Sequence, residues 1–152
     1  MTRKNLLRTG AWALFISSLL IAGAQGSLAF QVTTGPGILT LVLRLPADYE
    51  FIEGAPFSLE FEPDDPETLS FPALPAGRFN PMAGSTKVPF TAREGAATVT
   101  IRATLFYCDK SSKMCLQKTH ETRLTFEVTE RGASSPVFVW DIVPTTDPIP
   151  AP

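Results

Sequence analysis

Apolar and polar residues alternate along two long stretches between residues 97 and 128. In the first stretch, apolar side chains occupy every second position up to Tyr107, and mainly threonines fill the positions between them. The second stretch continues the alternation to Val128. A period of two is typical of strands with one face in a core. Because the link at residues 109–113 is short and polar, the pattern predicts a β-hairpin.

Shorter strand patterns occur on both sides of this hairpin. They cover residues 38–45, 57–62, 87–90 and 137–143. Residues 63–85 are rich in proline and predict a long irregular connection with one short strand near residues 69–71. Helical periodicity is absent after residue 29, and the 14 prolines would interrupt most helices. The sequence therefore predicts an all-β domain.

The two ends of the chain differ from the rest in composition. Residues 1–29 combine early basic residues, an apolar run and the small-residue ending Ser27-Leu28-Ala29, which is the layout of a signal peptide. The apolar run is shorter than the roughly 20 residues of a spanning helix. We expect cleavage near Phe30, with a second candidate site after Ala24, and no stable membrane insertion afterwards. The mature protein would be periplasmic or secreted, with one domain at residues 30–143 and a proline-rich tail at residues 144–152.

The charge balance bears on partners. Removing the signal's three basic residues from the 13 in the chain leaves 10 against 15 acidic ones, a net charge of −5. An acidic chain without a basic run predicts neither nucleic acid nor an anionic membrane as partner.

The most reactive groups in the sequence are its two cysteines, Cys108 and Cys115. The alternation places both on the polar, outward face of adjacent strands, where they can meet. An exported chain can oxidise such a pair. If the disulfide is structural, closing a loop of about eight residues stabilises the fold by roughly 2.5 kcal/mol. If it is an exchange disulfide, its exposed position leaves it open to attack by a thiolate. Lys110 and Lys113 would stabilise a thiolate and Asp109 would oppose it, so the residues alone leave both interpretations open.

The hairpin also resembles a known family. The segment ATVTIRATLFYCDKSSKMCLQKTHETRLTFEV is similar to the cysteine-bearing hairpin of the amino-terminal periplasmic domain of the DsbD thiol:disulfide interchange protein. It is at least as similar to the related immunoglobulin-like domain found at the end of some NHL-repeat and thioredoxin-like proteins. Upstream, LRLPADYEFIEGAPFSLEFEP resembles the same domains. The likeness covers about residues 38–128 and implies an immunoglobulin-like antiparallel β-sandwich.

The resemblance implies thiol–disulfide exchange with Cys108 and Cys115 as the catalytic pair. Electrons would come from a separate membrane donor and pass to thioredoxin-like periplasmic proteins. The chain departs from the family in its slightly longer six-residue link and in having no electron-supplying membrane domain after Val128. In the family a cap-loop aromatic shields the cysteines. Phe71 and Phe79 are candidates by location, although ordinary core packing is the better interpretation of both.

Other chemistries fit the sequence less well. His120 is the only histidine, and with the cysteines and Met114 it could form a soft-ligand metal site. Strand parity, however, puts His120 on the opposite face, so we predict no metal and no cofactor. The competing function is a non-catalytic binding module with a structural disulfide, and the sequence leaves open whether the protein is an enzyme.

Overall fold

The computed structural model describes residues 29–75 and 77–144. Nine strands run through these residues. Their bounds are β1 Ala29–Val32, β2 Gly35–Arg44, β3 Tyr49–Phe51, β4 Ser58–Pro63, β5 Leu69–Ser70, β6 Thr86–Ala92, β7 Gly95–Asp109, β8 Cys115–Val128 and β9 Val137–Asp141. A 3-10 turn at Pro81–Ala83 precedes β6. The predicted signal peptide lies, except for Ala29, outside the described residues, as does the proline-rich tail after Pro144.

The strands form two mixed sheets. In the first, β1, β8 and β7 lie side by side, and β3 and β4 both pair with the far edge of β7. The second has the order β5-β6-β2-β9. β1 pairs with β8 in parallel and β9 pairs with β2 in parallel, whereas the other pairs are antiparallel. The prediction of an all-β fold is confirmed, and no helix in the described part of the chain is long and apolar enough to cross a membrane.

One hydrophobic core draws on both sheets. β7 contributes a row of side chains at every second position, from Ala97 to Tyr107, all with at most 3% of their surface exposed. β2 and β6 contribute Leu39, Leu41 and Val88 from the other sheet. Since burial of apolar area is the main favourable term in folding, this alternation is what fixes which face of each strand points inward.

The β7–β8 hairpin is the longest element and matches its prediction. The register runs from Gly95 opposite Val128 to Cys108 opposite Cys115. Every second β7 residue from Ala97 to Tyr107 is buried, and the residues between them are at least partly exposed. The two cysteines therefore lie on the outward face, as the sequence predicts.

Two strands are absent from the sequence-based prediction. β1 is four residues long and is held by parallel pairing with the distant residues Thr125 to Val128. β3 is three residues long and lies between two turn segments. Neither is long enough to show a periodic pattern in the sequence. Each owes its conformation to strand partners far along the chain.

Candidate functional site

The two cysteines form a disulfide at the end of the hairpin. Cys108 is the penultimate residue of β7 and Cys115 is the first residue of β8, and their Cα atoms are 3.9 Å apart. The amide of Asp109 donates to the carbonyl of Met114, which makes that pair hydrogen-bonded. Hydrogen-bonded and non-hydrogen-bonded pairs alternate along an antiparallel ladder, and the latter bring side chains closer. Cys108 and Cys115 occupy such a close pair, which allows the two sulfurs to bond across the strands.

The two halves of the disulfide differ in exposure. Cys115 is exposed, whereas Cys108 is only partly exposed. Tyr107, next to Cys108, points the other way and is fully buried. The disulfide is thus open to solvent on its outer side while the strand beneath it is anchored in the core.

The neighbours of the disulfide along the sheet also differ. On the β3 side, Glu50 pairs directly with Cys108. On the far side of Cys115, β1 pairs with β8 only from Thr125 onward, and no other described residue pairs with β8 there. Cys108 therefore lies inside the sheet beside a carboxylate, and Cys115 lies at an edge of β8 that no other described residue covers, called the open edge below.

The link between the cysteines is held by local hydrogen bonds. Asp109 Oδ1 accepts from the amide and hydroxyl of Ser111 at 2.7 and 2.6 Å and from the amide of Ser112 at 3.1 Å. These donors, first the Ser111 hydroxyl, hold the pKa of the Asp109 carboxyl below its ordinary value. Lys110 donates through its amide to Asp48 and through Nζ to Ala47, both at 2.8 Å. The link is consequently tied to the loop that precedes β3.

His120 lies on the opposite face of the hairpin from the disulfide. Its Nε2 atom is 3.2 Å from the hydroxyl of Tyr107, and the Tyr107 ring packs edge-on against Tyr49 at a centroid distance of 5.8 Å. Burial, and secondarily the charge of Lys118, lowers the pKa of His120. This is a packed histidine turned away from the sulfurs. Within the described ranges no three His, Cys, Asp or Glu side chains are grouped to hold a metal ion.

Of the two candidate cap aromatics, Phe79 belongs to the core and Phe71 is partly buried against it. Phe71 stacks on Phe61 at a centroid distance of 4.7 Å, and Phe79 is 5% exposed and lies 6.3 Å from Phe57. The aromatic on the same strand face as Cys108 is Phe106, two residues earlier, which packs edge-on against Phe57 at 6.0 Å. Phe106 could have been predicted as a neighbour of Cys108 from strand parity alone. Predicting Glu50 as a neighbour required the register between two distant strands.

A groove lies elsewhere in the structure, beside the first sheet. It has a volume of about 690 Å³ and lies between the start of β4 and residues 74–75 and 77–82, with Phe57, Leu59 and Phe79 among its lining residues. No cysteine lines it. The sequence matches no protein-family model and no curated protein at a significant level, so the chemistry of the site has to be argued from its own residues.

Proposed function

We propose that this protein is an exported thiol–disulfide exchange protein, periplasmic or secreted, that works through reversible oxidation of Cys108 and Cys115. The observation that carries the proposal is the position of the disulfide, on the outward face of a strand pair with one sulfur at an open sheet edge. Two sheets around one core are compatible with the immunoglobulin-like β-sandwich that the sequence resemblance implies.

A purely structural role explains this position less well. The cysteines are seven residues apart, and the strands they join already pair along their whole length. The loop closed by the bond is short, so the entropic gain is roughly 2.5 kcal/mol at most. A staple between distant elements would constrain the unfolded chain more. An accessible bond that adds little stability is better suited to exchange.

The surroundings favour attack on Cys115. An attacking thiolate has to approach a sulfur in line with the S–S bond, from the side away from the leaving sulfur. For Cys108 that side is occupied by β3 and the exposed carboxylate of Glu50, which repels an anion. For Cys115 that side is the edge of β8 that no other described residue covers.

The exchange then proceeds in two balanced steps. A donor thiolate forms a bond to Sγ of Cys115, the Cys108–Cys115 bond breaks, and its electron pair leaves on Cys108 as a thiolate. A second donor thiol, after losing its proton, attacks the donor sulfur of this mixed disulfide and releases Cys115 as a thiolate. The donor becomes a disulfide, the chain gains two electrons, and the two protons lost by the donor thiols balance those taken up by Cys108 and Cys115. Toward an acceptor disulfide, the thiolate of Cys115 attacks first and Cys108 closes the bond again.

The partners follow from this chemistry and from the resemblance. The donor would be a separate membrane protein with a reactive dithiol, and the acceptors would be thioredoxin-like proteins of the same compartment. No cofactor is needed for this transfer, because the two sulfurs hold both electrons.

The test is the reduction potential of the Cys108–Cys115 pair, measured by equilibration in thiol redox buffers followed by alkylation and mass spectrometry. A value of roughly −120 to −270 mV supports a carrier, because known exchange proteins lie in that range. A value below about −300 mV makes the bond structural and favours a non-catalytic binding module.

A further inference from the structure

Among the described residues, the backbone of β8 is paired on only one side beside the disulfide. Since Asp109 donates to Met114, the even-numbered residues of β8 direct their peptide groups toward β7. The odd-numbered residues direct theirs toward the other side. In the described ranges β1 covers that side only from Thr125. The peptide groups pointing to the uncovered edge belong to Cys115, Gln117, Thr119, Glu121 and Arg123.

These five residues also have exposed side chains. An uncovered strand edge is a template for another strand, and proteins commonly use such edges to bind extended peptides. The edge begins at Cys115 itself, so an added strand would lie directly beside the exposed sulfur.

The geometry of strand addition suits the chemistry of exchange. Neighbouring strands are about 4.8 Å apart, and residues directly opposite each other have Cβ atoms about 4.5–5.5 Å apart on the same face. A cysteine opposite Cys115 on an added strand would lie on the far side from Cys108. Three sulfurs would then lie in a row across three strands, which is the alignment that in-line attack requires.

The charge near this edge indicates what kind of segment fits. Residues 109–123 contain four basic residues, Lys110, Lys113, Lys118 and Arg123, and two acidic ones, Asp109 and Glu121, within a chain whose net charge is −2. Glu121 is ion-paired with Arg102 at 3.0 Å and with Arg123 at 3.7 Å. A positive hairpin on an acidic protein favours an acidic partner segment.

We propose that the β8 edge from Cys115 to Arg123 docks an extended, acidic, cysteine-bearing segment of the exchange partner as an additional strand. The added strand holds the partner's thiol in line with the Cys108–Cys115 bond. The docking deepens the proposed exchange function, on which the role of that thiol rests.

The first test uses a synthetic peptide, Glu-Thr-Val-Thr-Val-Cys-Val-Thr-Val-Thr-Glu, as the reductant of the oxidised protein. Its control carries N-methyl groups on the four threonines, which removes four of the five amide donors that would face β8 and keeps the thiol and the charge. Loss of these hydrogen bonds should slow reduction about tenfold or more. A peptide with lysines in place of the glutamates should also react more slowly. Equal rates for the parent and N-methylated peptides overturn the docking.

Two variants of the protein make a matched pair. Gln117→Pro removes an outward amide and blocks the edge, whereas Gln117→Ala removes only the side chain. Because this amide does not bond to β7, proline is tolerable there. In Gln117→Pro, the parent peptide should reduce the disulfide no faster than the N-methylated peptide does. In Gln117→Ala, the parent peptide should remain the faster of the two. Dithiothreitol should reduce both variants at the same rate. If Gln117→Pro does not fold, the comparison of the parent and N-methylated peptides on the unaltered protein still tests the docking.

A binding measurement separates docking from exchange. The same peptide with serine in place of cysteine should slow hydrogen exchange of the Gln117 and Thr119 amides, without any redox step. Slowed exchange together with a potential below about −300 mV means that the edge docks peptides and the exchange function fails. Amides that are already slow in the protein alone mean that the edge is filled by the residues before Ala29 or by a second copy, which overturns docking of a partner segment.

Discussion

Glu50 and Cys108 face each other across the β3–β7 pair, and this relationship distinguishes the two sulfurs of the disulfide. The carboxylate of Glu50 lies on the side from which a thiolate would have to approach Cys108. Cys115 has no such neighbour among the described residues, in which β1 pairs with β8 from Thr125 to Val128 only. The sheet therefore presents one sulfur and shields the other.

Replacing Glu50 should reduce this asymmetry. In the unaltered protein, a mixed disulfide with glutathione should form mainly at Cys115. Glu50→Gln removes the repulsion and should raise the share at Cys108 about two- to threefold, a modest effect because exposed charges are screened by solvent. Trapping at acid pH and peptide mapping by mass spectrometry measure the two shares. Glu53→Gln, an exposed change in the following turn, is the control, and an equal change in both variants would contradict the assignment.

The disulfide should contribute little to stability. Replacing both Cys108 and Cys115 with serine should lower the free energy of unfolding by no more than about 2.5 kcal/mol, the value for so short a loop. The double variant should still fold, since β7 and β8 pair along their length. Urea unfolding followed by circular dichroism measures the difference. A variant that does not fold would show that the bond is a structural staple.

Local patterns were enough to predict the hairpin and the outward position of both cysteines. The alternation at residues 97–128 is long, and each buried side chain reinforces the same face. The disulfide pairing followed from the register of two strands joined by a short link. These features depend on neighbours in the sequence, which a single sequence displays.

The asymmetry of the site depends instead on strands that the sequence pattern does not reveal. β3, which carries Glu50, is three residues long, and β1 has four residues, none of which pairs with β8 near Cys115. Both pair with segments far along the chain. Register between distant strands is set by the packing of the whole core, so neither Glu50 nor the open edge could be predicted.

Stability should depend on the protonation of His120. Burial, and then the charge of Lys118, lowers its pKa below 6.5 in the folded protein. The unfolded chain therefore binds the proton at a higher pH, and stability is lost as pH falls below about 6.5. His120 is the only histidine, so His120→Gln should flatten this dependence. Urea unfolding at about pH 5 and about pH 7.5 checks the prediction, and an unchanged slope in the variant would contradict it.

The attachment of β1 should depend on Gly132, because a side chain there would overlap the backbone of Val32, the last residue of β1. Backbone cannot yield as a flexible side chain can, so Gly132→Ala should cost about 1–3 kcal/mol. If β1 is displaced, the amide of Glu127, which faces β1, should exchange faster while the β7–β8 pairs stay protected. Hydrogen exchange followed by nuclear magnetic resonance measures both. Glu130→Ala, an exposed change in the same turn, is the control, and uniform loss of protection in Gly132→Ala would mean global unfolding rather than release of β1.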